Sequence, residues 1–168
     1  MEQKNQRWNR LLKVIFEYSG DKLTLREISR RTGIPLSTLM RNINQLQKER
    51  IINKEYMFIE NTRNRWRKTE RIISLIFESG LIDFLEEKLK PSVIILFGSM
   101  RKGEYEKDSD IDLFVEASER EINLKPFEKK LEHSIHLIVK NRLSTLPKEL
   151  QLSIINGIKL SGYLKYES

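Results

Sequence analysis

Residues 97–112 read FGSMRKGEYEKDSDID, and this stretch decides the fold class of the second half of the chain. It continues a short apolar run that is typical of a strand buried on both faces. A Gly-Ser pair ends the run, ten residues intervene, and Asp110 and Asp112 open a second apolar segment. Two interpretations compete: a phosphate-and-metal site between two strands, or a polar loop that leads into a strand with acids at its start.

The alternation of side chains in a strand puts Asp110 and Asp112 on one face of the second segment. Ile111, Leu113 and Val115 fall on the other face, which we expect to pack against helices. Both carboxylates then project from a wet face, about 6–7 Å apart along the strand. Two acids at that distance repel each other, so a cation is expected between them. Mg²⁺ suits such a pair and typically arrives with nucleotide phosphates.

The turn after the first strand has the residue types that bind phosphate. Gly98 permits close backbone approach, and the Ser99 hydroxyl with nearby backbone N–H groups can hold a phosphate oxygen. Arg101 and Lys102 add positive charge beside them.

The segment LFGSMRKGEYEKDSDIDLFVE at 96–116 resembles the polymerase-β-like nucleotidyltransferase superfamily, and within it the minimal nucleotidyltransferases of prokaryotes. The resemblance covers about residues 70–168. It implies transfer of a nucleoside monophosphate from an NTP, with ATP the expected one, and release of pyrophosphate. Asp110 and Asp112 would hold two Mg²⁺ (or Mn²⁺) ions, and Gly98 and Ser99 would bind the β- and γ-phosphates.

The chain departs from that superfamily at one catalytic position. Active members have a third carboxylate on the next strand, predicted here in HSIHLIVK at 133–140, and no aspartate follows Asp112. His136 occupies the expected place, whereas His133 is expected to be solvated at the strand start. Three interpretations stay open: His136 substitutes as ligand or base, the site binds nucleotide without turnover, or the site is degenerate.

The remaining periodicity predicts an α+β protein. A helix is expected over 69–89, kinked or divided in two at Gly80, then a partly helical connection at 121–133 and a closing helix that ends near Gly157. These elements predict a small nucleotidyltransferase-like α/β domain at 66–168, with a short mixed sheet packed on helices.

The excess positive charge lies in the first 70 residues. They hold 16 Lys+Arg against 8 Asp+Glu (+8), and the rest holds 15 against 16 (−1), which indicates a polyanion partner for the N-terminal part. Apolar periodicity predicts helices over 8–18, 25–31 and from Leu36, with Gly33 in the turn between the last two. IINKEYMFIENTRNRWRK at 51–68 alternates and ends in basic residues, so it is interpreted as a wing, although a solvated basic linker would have the same composition.

In spacing and order, residues 8–62 resemble a winged helix-turn-helix, so 1–65 is predicted to be a DNA-binding domain of a prokaryotic, archaeal-type regulator. The resemblance implies a helix in the major groove of double-stranded DNA and a homodimer on paired half-sites. The alternative is a three-helix packing module. Base-reading and phosphate-contacting candidates are Ser37, Thr38, Arg41, Asn42, Gln45, Arg30, Arg31, Arg63 and Arg65.

Three functions follow. The first is a DNA-binding nucleotidyltransferase that modifies a partner, since stand-alone relatives adenylylate a helical HEPN-type toxin and are antitoxins that regulate transcription. The second is a transcriptional regulator whose nucleotidyltransferase-like domain binds nucleotide or a partner without catalysis. The third, transfer to a nucleic acid or small molecule, has no readable acceptor pocket. The absence of cysteine excludes disulfides, and no segment looks like a leader or a membrane span, so a cytoplasmic protein is expected.

Overall fold

The computed structural model describes residues 2–164, and the chain divides into two compact units. The first contains residues up to Asn64 together with Tyr105–Lys107, and the second contains Arg65–Glu104 and residues from Asp108 onward. A helical helix-turn-helix region is followed by a small domain in which a four-stranded mixed sheet packs on helices. The predicted α+β class is confirmed.

The first unit begins with three helices, as predicted: α1 (Glu2–Glu17), α2 (Leu25–Thr32) and α3 (Leu36–Lys48). α2 starts at a capping box in which the Thr24 side chain accepts from the backbone N–H of Glu27, and the Glu27 carboxylate accepts from that of Thr24. It ends at Gly33, whose φ of +66° is left-handed. The core of the unit includes the fully buried Leu11, Ile28, Leu39 and Leu46.

The predicted wing is short. A single bridge joins Ile52 to Phe58, and the N–H of Ile59 donates to the carbonyl of Ile51 (2.9 Å). The Asn53 side chain closes the tip by accepting from two backbone N–H groups of the loop.

The basic segment after the wing is helical, which corrects the interpretation of 63–68 as the wing's end or as a solvated linker. Helix α4 (Thr62–Glu78) starts seven residues before the predicted position 69, because Asn61 accepts from the N–H of Asn64 and caps its first turn. Lys68 is buried rather than solvated. Gly80, at φ +81°, separates α4 from α5 (Leu81–Leu89), so the chain forms two helices end to end.

The sheet of the second unit has the strand order β3-β2-β1-β4. β1 pairs antiparallel with β2 and with β4, whereas β2 and β3 are parallel. The strands are β1 (Val93–Phe97), β2 (Ile111–Glu116), β3 (Ile135–Lys140) and β4 (Ile158–Gly162), and the remaining elements are α6 (Gly98–Lys102), α7 (Lys125–Leu131), a 3-10 turn (Leu143–Thr145) and α8 (Lys148–Ile155). The closing helix was predicted, but β4 was not.

Both faces of the central strands are covered, which corrects the expectation that one face of β2 is wet. Phe114 alternates with the acids, yet it is fully buried in a cluster with Val93, Ile95, Phe97 and Ile154 of α8. Only the end of that face that carries Asp110 and Asp112 reaches solvent. Within residues 2–164, no helix combines the length and the apolar character that crossing a bilayer requires.

Candidate functional sites

Gly98 and Asp112 occupy the same small space at the end of β1. Gly98 has φ +71° and begins α6 directly after the strand. A Cβ at this position would overlap the carboxylate of Asp112, so both the backbone conformation and the packing require glycine. The turn that the sequence assigns to phosphate and the carboxylate that it assigns to metal are therefore in contact.

His136 lies beside Asp112 on the neighbouring strand. The two residues are register partners in the parallel β2–β3 pair, and Nδ1 of His136 donates to Oδ1 of Asp112 (2.9 Å). The His136 side chain is 59% exposed and that of Asp112 is 23% exposed, so the imidazole is the more accessible of the pair. The sequence predicted His136 in the third-carboxylate place, and the structure puts it against the first shared carboxylate.

Asp110 is exposed and immediately precedes β2, and its backbone is held from both sides. The N–H of Ile111 donates to the carbonyl of Ser134 (2.8 Å). His133 donates from Nδ1 to the carbonyl of Ser109 (2.9 Å) and is 6% exposed, so the expectation of a solvated residue is wrong. A carbonyl can only accept, which assigns the proton of this imidazole to Nδ1. His133 thus positions the residue before Asp110.

Helix α6 is anchored from α4. The Thr69 hydroxyl, which is buried, lies 3.1 Å from the carbonyl of Met100 and 3.2 Å from that of Arg101. A Cβ at Gly103 would overlap the backbone of Arg65, so α6 ends in close contact with α4. Of the predicted phosphate ligands on this helix, Ser99 and Arg101 are half-buried and Lys102 is exposed.

Glu116 shares a strand face with Asp112 but has a structural environment. Its carboxylate accepts from the Ser92 hydroxyl (2.6 Å) and from the N–H of Leu143 (3.2 Å). These bonds tie the end of β2 to the start of β1 and to the segment after β3, which agrees with the expectation that Glu116 lies too far along to ligate with the aspartates.

In the first unit, α3 presents a polar face opposite its buried stripe. Leu39, Ile43 and Leu46 are buried, whereas Ser37 and Arg41 are exposed one turn apart. Gln45 is exposed and donates from its amide to Glu49 (3.1 Å). Two of the predicted residues, Thr38 and Asn42, lie on the flank and are half-buried, and two exposed polar residues of the face were missed, Asn44 and Lys48.

The four other predicted DNA contacts lie in two different places. Arg30 and Arg31 are exposed in the last turn of α2, and the Arg31 guanidinium stacks on the Tyr18 ring at 4.0 Å. Arg63 and Arg65 are on α4 instead of a wing, and Arg65 pairs with Glu104 (3.2 Å).

Two family models match the chain. The model described as nucleotidyltransferase domain matches residues 78–159, and the one described as IclR helix-turn-helix domain matches residues 10–55. The chain is a helix-turn-helix domain fused to a nucleotidyltransferase domain. Neither the curated proteins nor the solved structures yielded a match. The fusion that the sequence predicted is confirmed.

The nucleotidyltransferase domain has a donor set that fits one hard divalent cation. Among the described residues, no group of three or more His, Cys, Asp or Glu side chains is placed to hold a metal ion. Two carboxylates, those of Asp110 and Asp112, suffice when nucleotide phosphates complete the coordination of Mg²⁺. Oδ1 of Asp112 already accepts from His136, and its Oδ2 faces the space above Gly98.

Two positioning residues of the nucleotidyltransferase domain were not found from sequence. His133 and Thr69 contact backbone atoms 24 and 31 residues away, and neither belongs to a recognisable motif. The helix-turn-helix face was easier to predict, since the period of 3.6 residues alone separates its buried and exposed rows.

Proposed function

We propose that this chain is a DNA-binding transcriptional regulator whose nucleotidyltransferase domain, at residues 66–168, binds a nucleoside triphosphate with a divalent cation and transfers nucleotide poorly. The helix-turn-helix domain, at 1–65, binds double-stranded DNA. The observation that carries the first part is the hydrogen bond between His136 and Asp112. It puts an imidazole where related enzymes have a metal-binding acid.

The charge of the site supports binding without efficient transfer. A neutral imidazole adds no negative charge to balance a metal ion, and it favours softer metals than Mg²⁺. Nδ1 of His136 also occupies one of the two oxygens of Asp112. In this proposal, Asp110 and Asp112 hold Mg²⁺ or Mn²⁺, which neutralises phosphate charge, while Gly98 and Ser99 receive the phosphates of ATP and Arg101 and Lys102 add positive charge.

Labelled ATP, CTP, GTP and UTP with Mg²⁺ or Mn²⁺ test this proposal. We expect the wild type to bind a triphosphate and to label little, and His136→Asp to increase labelling of an acceptor. His136→Asn is the matched control, since it removes the imidazole without adding a carboxylate. Asp112→Asn should abolish binding of the metal–nucleotide pair. Efficient labelling by the wild type contradicts the proposal.

One observation favours a second candidate, an active transferase. An exposed imidazole that donates to a carboxylate is arranged to act as a general base. His136 would accept the proton of an acceptor hydroxyl as its oxygen bonds to the α-phosphorus and the bond to pyrophosphate breaks. The acceptor would be a HEPN-type helical protein, and a nucleic acid or small molecule is the alternative. In this case the wild type labels the acceptor, and His136→Asn loses the activity.

Salt dependence tests the DNA part. Binding of a random-sequence duplex should weaken linearly in log–log form as salt rises, because phosphate contacts release counterions. Sedimentation with and without DNA tests the proposed homodimer. A protein that retains no duplex at low salt contradicts the regulator proposal.

A further inference from the structure

Two large apolar side chains are exposed on the recognition helix. Leu36 and Met40 are 45% and 43% exposed. They are four residues apart, so they form one row along α3. This row lies next to the row of Ser37 and Arg41, at the N-terminal half of the helix.

The fold of the first unit does not account for this row. Leu39, Ile43 and Leu46 already provide the buried stripe of α3. The neighbouring exposed positions of the helix are polar or basic, and the first 70 residues carry a net charge of +8 (16 − 8). Two exposed apolar side chains therefore lie on a basic surface that suits a polyanion.

The major groove offers one apolar group that would match such side chains. Thymine presents its C5-methyl group there, whereas the other edges of the bases are hydrogen-bond donors and acceptors. An Arg41 side chain in the adjacent row can pair with guanine through O6 and N7. The same helix face thus combines a polar reader and an apolar reader.

We propose that Leu36 and Met40 are specificity-determining residues that contact thymine methyl groups, so that the preferred DNA carries thymines beside the base read by Arg41. This inference rests on the DNA binding proposed above and adds the chemistry of the preferred sequence. The occupant of the row is DNA, because charge complementarity selects it over a protein surface.

Thymine-to-uracil replacement isolates the methyl group. A duplex is first selected from a random library with the full-length protein, then synthesised with thymine or with uracil at each position. Removing a contacted methyl should weaken binding by the wild type about fourfold, as expected for one buried CH₂-sized group. For the double variant Leu36→Ala, Met40→Ala the replacement should have no effect at those positions.

Leu152→Ala is the matched control, since Leu152 is 61% exposed on α8 of the other unit. It should keep the wild-type sensitivity to uracil. Alanine is a strong helix former, so the double variant should retain its helix content and melting temperature.

The possible failures are distinguishable. Equal wild-type affinity for thymine and uracil duplexes overturns the inference and leaves DNA binding intact. No binding of any duplex at low salt overturns the DNA-binding proposal itself. A double variant that keeps the wild-type response to uracil but changes its mass in sedimentation also overturns the inference, with a second copy of the chain as the occupant.

Discussion

The recognition face of α3 and the acidic end of β2 present their side chains in different ways. On α3, Ser37 and Arg41 project from a helix whose opposite side is buried. At β2, Asp112 is confined between the turn at Gly98 and the imidazole of His136. A change on α3 alters what the surface binds, whereas a change around Asp112 alters the fold and the site together.

The largest effect is expected for Gly98→Ala. The positive φ disfavours an L side chain by about 1–2 kcal/mol. Overlap with the Asp112 carboxylate should add about 1–3 kcal/mol of destabilisation, typical of overpacking. Urea denaturation measures the loss of stability, and calorimetric titration with Mg-ATP should show lost binding.

Gly80→Ala separates the two contributions. Gly80 has φ +81°, and a Cβ there meets no atom within 4 Å. This variant should show the conformational destabilisation alone and retain nucleotide binding. If the two variants are equally stable and both bind Mg-ATP, Asp112 does not depend on the space at Gly98.

A smaller effect is expected at His133. His133→Phe leaves the carbonyl of Ser109 without this donor, which should destabilise the protein by about 1–3 kcal/mol. Because Ser109 precedes Asp110, metal–nucleotide affinity should fall as well. His133→Asn keeps an N–H donor and should recover part of both. Equal stability of the two variants would show that packing, and not this hydrogen bond, holds the segment.

Local patterns predicted more of the fold than of the site. Periods of 3.6 and 2 residues located α1, α2, α3, β1, β2 and β3, and the spacing of Gly98 and Asp112 indicated a nucleotide site. Strand β4 was missed because its apolar residues follow α8 after only two residues and continue the helical pattern. The start of α4 was missed because its basic first turns resemble a wing.

Long-range contacts explain the remaining differences. The bond from His133 to Ser109 and the burial of Phe114 by α8 depend on chain segments that meet only in the folded sheet. Tyr105–Lys107 lies within the loop between the two motifs but belongs to the first unit, where the N–H of Lys107 donates to the carbonyl of Glu17 (2.9 Å). No periodicity in the loop indicates that bond.

On α3, Arg41→Ala should change binding without changing the fold. Exposed substitutions on a helix are usually within about 0.5 kcal/mol of neutral. The slope of log affinity against log salt should become shallower by about one if Arg41 contacts a phosphate. Lys129→Ala, at an exposed position of α7, removes the same charge and should leave the slope unchanged. Equal slopes for both variants would remove Arg41 from the interface.

The smallest effect is expected at the start of α2, where a charge supports the helix-turn-helix region without binding anything. The backbone N–H of Thr24, then its hydroxyl, lower the pKa of Glu27 below its ordinary value, and Arg31 and Arg30 act in the same direction. A carboxyl whose pKa is lowered by folding stabilises the fold fully above its ordinary pKa of 4.5, and this contribution disappears as pH falls through the folded value. Glu27→Gln should therefore lower stability near neutral pH and flatten its decline in acid, measured by thermal unfolding between about pH 3 and 7. Glu49→Gln, at the C-terminal end of α3, is the control for a lost acid; if its acid profile changes as much as that of Glu27→Gln, the capping box is not the source of the dependence.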